Sequence, residues 1–137
     1  MLNEQAIEVS QVPDSQRTCF LPKHFGTRFM LRGEALVYAW MDRLSDDYRG
    51  GFWNFLALSN GGFFLAPARS TPMRVTSENG FDGMMSAEAA GIVATLYALC
   101  QLANQTCEDD LIEKYHALRD FALSQHAEAA CIAQAID

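Results

Sequence analysis

The sequence lacks the features that would place the chain in a membrane or outside the cell. No basic segment followed by an apolar stretch opens it, and no run approaches the roughly 18 consecutive apolar residues of a membrane-spanning helix. Its four cysteines contain no C-x-x-C pair and are too few for a disulfide scaffold. We therefore expect a cytoplasmic protein, with no membrane partner, whose cysteines are buried free thiols.

The chain also lacks the patterns of well-known catalytic and cofactor sites. It has no phosphate-binding loop, no Rossmann fingerprint and no nucleophile elbow. The histidines His24, His116 and His126 are not spaced as zinc ligands. We expect neither a metal nor a cofactor. An enzyme remains an alternative, in which His24 or the adjacent Asp46 and Asp47 act as acid–base groups gathered in a pocket.

Positive charge is scarce in the second part of the chain. The net charge is −7, and residues 77–137 carry two Lys and Arg against ten Asp and Glu, whereas residues 1–76 carry eight against seven. Binding to duplex DNA without sequence preference draws most of its affinity from Lys and Arg on phosphates. Strong direct duplex binding is therefore not expected, although Arg28, Arg32, Arg43 and Arg49 leave a local basic patch open.

What the sequence does contain is the composition of an ordinary globular protein. Of its 137 residues, 50% are hydrophobic and 20% are charged. This length suits one domain, residues 1–137, with residues 1–11 as a flexible or packed N-terminal arm. Further along, Phe20-Leu21-Pro22 predicts an extended segment, because the residue before a proline disfavours the helical conformation.

An aromatic hairpin is the most prominent local signal. Two apolar runs, residues 52–58 and 63–66, are joined through Asn60-Gly61, a dipeptide that tolerates the positive φ angles of a tight turn. A third extended run at 73–76 is predicted to complete a three-stranded antiparallel sheet. Alternation puts aromatic residues on both faces. A sheet buried on both faces is favoured over an exposed patch for a partner protein, and stacking of unpaired bases is a weaker third option without interleaved Lys or Arg.

Periodicity predicts about four helices around that sheet. The first spans about 34–48, on an apolar stripe that includes Val37, Met41 and Tyr48. The central helix, near 86–104, begins at Ser86 as N-cap and is apolar nearly all round, so it should be buried. Residues 104–106 break this pattern, and two more helices follow, the last at about 127–135. Strands and helices do not alternate as in parallel α/β folds, so the expected class is α+β.

Five blocks of the sequence resemble the ArdB/KlcA family of antirestriction proteins, which plasmids and integrated elements of bacteria carry. Their order and spacing also match, from about residue 12 to the end. The blocks are Phe20-Leu21-Pro22-Lys23-His24-Phe25-Gly26, Tyr48-Arg49-Gly50-Gly51-Phe52-Trp53, Leu58-Ser59-Asn60-Gly61-Gly62-Phe63-Phe64-Leu65-Ala66-Pro67, Met85-Ser86-Ala87-Glu88-Ala89-Ala90-Gly91-Ile92-Val93-Ala94 and Tyr115-His116-Ala117-Leu118-Arg119-Asp120-Phe121-Ala122.

The resemblance implies inhibition of host type I restriction-modification systems, so that incoming DNA escapes cleavage. It implies a compact α+β fold and no enzyme chemistry, and it supplies no catalytic residues. The expected partner is the host type I restriction-modification complex or a host factor associated with it. The sequence leaves the oligomeric state open.

Two surfaces are candidates for this inhibition. We favour a protein-binding surface of polar residues beside the aromatic hairpin: Asp46, Asp47, Trp53 and Asn60. The alternative is an acidic DNA mimic that uses Glu108, Asp109, Asp110 and Glu113. Duplex DNA carries one charge per roughly 1.7 Å, so a domain about 37 Å across would need about twenty charges to imitate it. The net charge of −7 is well short of that number.

Overall fold

Five helices and two small antiparallel sheets make up residues 6–137, the part of the chain that the computed structural model describes. Residues 1–5 of the predicted arm lie outside it. The strands are β1 (Val9–Gln11), β2 (Trp53–Leu58), β3 (Phe63–Pro67), β4 (Met73–Thr76) and β5 (Asp82–Met85). The helices are α1 (Arg17–Phe25), preceded by a short 3-10 turn (Asp14–Gln16), α2 (Met30–Leu44), α3 (Ala87–Thr106), α4 (Asp109–Ser124) and α5 (Ala129–Ile136). The α+β class is confirmed.

The three-stranded sheet is confirmed, but its third strand is not the predicted one. Its order is β1-β2-β3, and β1 pairs antiparallel with β2 in a register that puts Val9 opposite Leu58. The run at 73–76 is β4, which pairs with β5 in a separate sheet. A local turn explains this pairing: Asn79 Oδ1 accepts the backbone N–H of Phe81 at 3.0 Å, and Gly80 takes a φ of 95°.

The central helix α3 is largely buried, as predicted, although Cys100 and Asn104 near its C-terminal end are exposed. The hydroxyl of Ser86 accepts the N–H of Ala89 at 3.0 Å and caps the helix. The helix runs through the predicted break at 104–106 and ends where Cys107 turns left-handed, with a φ of 56°. It contacts α2, α4, α5 and β3. No helix within residues 6–137 is long and apolar enough to cross a membrane.

The prediction of an extended segment at Phe20-Leu21-Pro22 is wrong, because Pro22 lies inside α1. A proline removes one helical N–H, which leaves the carbonyl four residues earlier without its partner. That residue, Thr18, is exposed, so water can satisfy its carbonyl. The buried side chains of Phe20 and Phe25 hold this helix on the core.

The first predicted helix, about 34–48, is shifted along the chain. Helix α2 begins at Met30 and ends at Leu44, where Ser45 turns extended with φ −142° and ψ 122°. Its buried face includes Val37 and Met41, as predicted, but Tyr48 lies beyond its end.

The hairpin is covered on both faces, which confirms the buried-sheet prediction. Neighbouring residues of a strand point to opposite faces. The ring of Phe63 packs against Phe25 of α1, at 5.0 Å between centroids, and Phe64 packs against Phe121 of α4, at 6.3 Å. Phe52, just before β2, is the exception at 59% exposed.

The prediction of buried thiols is wrong. All four cysteines are free, but Cys19, Cys100 and Cys107 are exposed and Cys131 is half-buried. One reason is conformational: Cys107 occupies the turn that ends α3, at the surface.

Helix α3 approaches β3 so closely that Gly91 has no room for a side chain. A Cβ at Gly91 would lie 2.6 Å from Ala66 Cα and would also clash with the carbonyl oxygen of Leu65. Both obstacles are backbone atoms, which cannot move without shifting the strand.

We predict that Gly91→Ala destabilises the protein by about 2 to 3 kcal/mol through overpacking, although alanine favours a helix by about 1 kcal/mol over glycine. Urea unfolding followed by circular dichroism measures this loss. Ala35→Gly, at an exposed site of α2, is the control for helix propensity and should cost only about 1 kcal/mol. A Gly91→Ala protein as stable as the original would contradict the close approach.

Candidate functional site

A cleft of about 520 Å³ opens between the α1–α2 connection and the start of α4. This volume lies in the range of small-ligand sites, roughly 300 to 1,000 Å³. We call it the α1–α4 cleft. One side carries basic residues of α1 and the following loop, and the other side carries residues of α4. The charged and titratable residues that line it are Lys23, His24, Arg28, Glu108, Asp110, Glu113 and Lys114.

Lys114 connects the cleft to the tip of the hairpin. Its ammonium donates a hydrogen bond to the carbonyl oxygen of Gly61 at 2.6 Å and lies 3.2 Å from Nδ1 of His24. An ammonium can only donate, so Nδ1 accepts and the neutral imidazole carries its proton on Nε2. This Nε2 is buried and has no hydrogen-bond partner among the described residues.

The electrostatics of the cleft keep His24 neutral. Burial, followed by the charges of Lys114 and Lys23, lowers the pKa of His24 to about 4. Burial and the charge of Lys23 also lower the pKa of Lys114, while Asp110 and Glu113 oppose that shift. Neither lysine belongs to any of the ion pairs found within residues 6–137.

The predicted acidic patch lies at the start of α4, and most of it faces this cleft. Glu108, Asp110 and Glu113 line the cleft, whereas Asp109 is exposed elsewhere in the first turn. Carboxylates in the first turn also stabilise a helix through its dipole. The fold thus brings the acidic residues together with His24.

Sequence reasoning missed Lys23 and Lys114 as functional residues. They are far apart in the chain and belong to no recognisable catalytic or ligand-binding motif, so only the fold places them in one cleft. One signal was available: they are the only two lysines in the sequence.

Trp53, a residue of the favoured binding surface, is not on the surface. Its side chain is 3% exposed, and its Nε1 donates to the Tyr48 hydroxyl at 3.2 Å. The rings of Tyr38 and Tyr48 pack against it. The prediction that it is available to a partner is corrected, because these two tyrosines cover the indole.

The other residues of that surface lie at opposite ends of the hairpin. Asp46 and Asp47 are exposed just after α2. Asn60 lies at the tip, seven residues beyond Trp53, which corresponds to roughly 23 Å along a strand. The structure therefore does not bring Asn60 together with the two aspartates.

Asp47 and Asn60 also have structural roles. Asp47 Oδ2 accepts the backbone N–H of Arg74 at 2.8 Å and holds the loop after α2 against β4. Asn60 donates to the carbonyl oxygen of Ala117 at 2.8 Å and accepts the N–H of Gly62 at 3.0 Å, which fixes the hairpin tip on α4. Within the described residues, the carboxylate of Asp46 is exposed and forms no hydrogen bond, although its charge interacts with that of Arg74.

The positions of these residues give little support to the alternative that the protein is an enzyme. His24 lies in the α1–α4 cleft, whereas Asp47 lines a different cavity, of about 370 Å³, beside Arg49 and Phe52. The acid–base groups proposed from the sequence are therefore not gathered in one pocket. Nowhere in residues 6–137 do three or more His, Cys, Asp and Glu side chains form a group that could hold a metal ion.

The four arginines of the suggested basic patch are also dispersed. Arg28 lines the cleft, Arg32 contacts the end of α3 and Arg43 pairs with the β4–β5 turn. Arg49 bonds to carbonyl groups of its own loop.

Comparison with known proteins gives concordant matches. A family model described as antirestriction protein matches residues 46–137. An antirestriction protein KlcA of Escherichia coli is 50% identical over 98% of this chain and 97% of its own length, and another is 52% identical over 96% and 94%. A solved structure from work on KlcA and ArdB matches with a TM-score of 0.90 and 51% identity, over 100% of this chain and 99% of that one. Those two proteins are described as having a novel fold and antirestriction activity against type I DNA restriction systems in vivo but not in vitro.

The lowered pKa of His24 predicts a loss of stability in acid. An unfolded histidine, with a pKa of about 6.5, binds a proton that the folded imidazole resists until about pH 4. The stability due to neutral His24 is complete above pH 6.5 and falls as the pH drops towards 4, by about 2 kcal/mol between pH 7 and pH 5.

Two measurements check this prediction. NMR titration of the wild-type imidazole should place its midpoint near pH 4. Urea unfolding at both pH values should show a smaller acid loss for His24→Gln than for wild type, because glutamine does not titrate. A His24 midpoint near 6.5 would refute the assignment.

Proposed function

Because the chain belongs to the antirestriction protein family, we propose that it counters type I DNA restriction systems, so that incoming DNA escapes cleavage. The observation that carries this proposal is the match along the whole chain, at a TM-score of 0.90, to a structure from work on proteins with that activity. We expect the protein to act in the cytoplasm, where incoming DNA meets the restriction enzyme.

We further propose that the inhibition works by protein binding and not by catalysis. His24 is neutral, its Nδ1 is occupied by Lys114, and its Nε2 is enclosed by protein. An imidazole with both nitrogens so placed is poorly suited to move protons for a substrate. The aspartates that could have assisted it lie elsewhere.

The proposed partner is a component of the type I restriction-modification complex or a host factor associated with it. KlcA and ArdB act in vivo but not in vitro. A purified reaction therefore omits something that the cell provides. For this chain, the same behaviour would favour a host factor or an assembled cellular complex over the isolated restriction enzyme.

DNA mimicry is the less favoured mechanism. A mimic needs an extended surface of one sign, but Glu108, Asp110 and Glu113 share their cleft with Lys23, Arg28 and Lys114. Because these opposite charges line one cleft, they would cancel much of the negative electrostatic potential that a mimic of a phosphate backbone needs.

We propose Asp46 as a direct contact to the partner. It is exposed, and its carboxylate makes no hydrogen bond within the described part of the chain. Asp47 positions the loop after α2 and Asn60 positions the hairpin tip, while Trp53 holds Tyr48 through its hydrogen bond to the tyrosine hydroxyl.

Plating of unmodified phage on cells with a type I restriction system tests both the function and the contact. Wild-type protein should raise the efficiency of plating towards that of modified phage. Asp46→Lys should lose most of this protection, since it reverses a charge at the proposed contact. Asp42→Lys, the same change at an exposed position inside α2, is the matched control and should still protect.

A triple change of Glu108, Asp109 and Asp110 to lysine separates the two mechanisms. The binding model predicts that protection survives, whereas mimicry predicts its loss in a protein that circular dichroism shows to be folded. If the wild-type protein gives no protection against several type I systems, this result would contradict the proposed function itself.

A further inference from the structure

The side-chain amine of Lys114 lies in an environment that is unusual for a lysine. It is half-buried, no carboxylate of residues 6–137 lies within 4.0 Å of its ammonium, and it donates hydrogen bonds to a carbonyl oxygen and to a neutral imidazole. A lysine on a protein surface usually keeps its proton because water and nearby carboxylates stabilise the charge. Burial and the charge of Lys23 lower the pKa of the Lys114 amine, against the opposing charges of Asp110 and Glu113, and so raise the share of the neutral, nucleophilic form.

The α1–α4 cleft gives a small molecule access to this amine. Lys114 lines a space of about 520 Å³ together with Lys23 and Arg28. Neither Lys23 nor Arg28 is paired with a carboxylate in the described residues. Two unpaired cations beside a reactive amine suit an anionic group, and a phosphate is the anion that lysine and arginine bind best together.

We propose that Lys114 is a site of covalent acylation, that small acyl phosphates are the acyl donors, and that Lys23 and Arg28 bind the phosphoryl group of the donor. The acidic residues on the α4 side of the cleft limit its occupants. Glu108, Asp110 and Glu113 would repel a polyanion such as a nucleic acid, but leave room for a compact donor held on the basic side.

The reaction is an acyl transfer with a complete balance of atoms. The ammonium of Lys114 first releases one proton to water. The nitrogen lone pair then attacks the acyl carbon, a C–N bond forms, and the C–O bond to phosphate breaks with its electron pair on the departing phosphate. The second nitrogen proton passes to that phosphate, so the products are an amide and hydrogen phosphate.

His24 has a positioning role in this step. As an acceptor at 3.2 Å, its Nδ1 orients the amine towards the cleft without competing for a full proton. Acylation would remove the positive charge of Lys114 and disturb its bond to Gly61, which ties α4 to the hairpin tip. This chemistry is independent of the antirestriction role.

The chain offers an internal control, because Lys23 is its only other lysine. The probe is acetyl phosphate with light isotopes, added to the folded full-length protein. After the reaction, the protein is denatured and every remaining lysine amine is acetylated with heavy acetic anhydride. Mass spectrometry of the light-to-heavy ratio then gives the occupancy at each lysine.

We expect Lys114 to be acetylated at least about fivefold faster than Lys23 in the folded protein, because its charged form is less stable. In protein unfolded by urea before the light step, the two rates should become equal. A folded-state rate at Lys114 no higher than at Lys23, or a preference that persists in urea, would overturn the proposal.

A second arm tests the phosphate site. Inorganic phosphate should slow acetylation of Lys114 by acetyl phosphate, and should not slow acetylation by the neutral donor N-acetoxysuccinimide. Arg28→Gln should weaken the preference for Lys114 with acetyl phosphate only. Arg119→Gln, which lies on helix α4 with Lys114 but outside the cleft lining, should leave the preference unchanged. Equal effects on both donors would overturn the role of Lys23 and Arg28.

Discussion

The close approach of α3 to β3 is the constraint on which the rest of the structure depends. Gly91 lets the backbone of the helix reach the strand, and one turn later the hydroxyl of Thr95 accepts the N–H of Leu65 at 3.2 Å. A buried edge strand needs such a partner, because an unpaired backbone N–H is costly inside a protein. With β3 fixed on one side of α3, helices α2, α4 and α5 occupy the remaining sides. Helix α3 is therefore apolar and buried over most of its surface, and the candidate site lies outside it, between the α1–α2 connection and α4.

Features that depend on neighbours in sequence could be predicted. Ser86 signals the start of α3 because its hydroxyl reaches an N–H only three residues away. The hairpin could be located because Asn60-Gly61 contains its own turn chemistry, and Gly61 does take a φ of 90°. The buried sheet followed from aromatic residues on both faces. Each of these signals is contained within a few residues.

Features that depend on distant partners could not be predicted in the same way. Tryptophan is a residue type that often contacts partners at protein surfaces. Only the positions of Tyr38 and Tyr48 in the fold show that the side chain of Trp53 is covered. The candidate site could not be predicted for the same reason. Lys23 and Lys114 come from different helices, and neither belongs to a catalytic or ligand-binding motif, so no pattern in the sequence joins them. Pro22 shows a third case: core packing of α1 outweighs the local preference of the residue before a proline.

The pairing of β1 with β2 sets an order of folding events. Val9 is paired with Leu58, and Glu8 with Ser59, across two intervening helices. During synthesis the N-terminal strand leaves the ribosome first, yet its partner strand follows only after α1 and α2. Closing so long a loop lowers the conformational entropy of the chain, and this cost arises before the contacts between β1 and β2 can stabilise the pair. We therefore expect β1, which is made before β2 and β3, to be paired after them. The three-stranded sheet would then be completed when β1 pairs with the edge of a β2–β3 hairpin that has already formed.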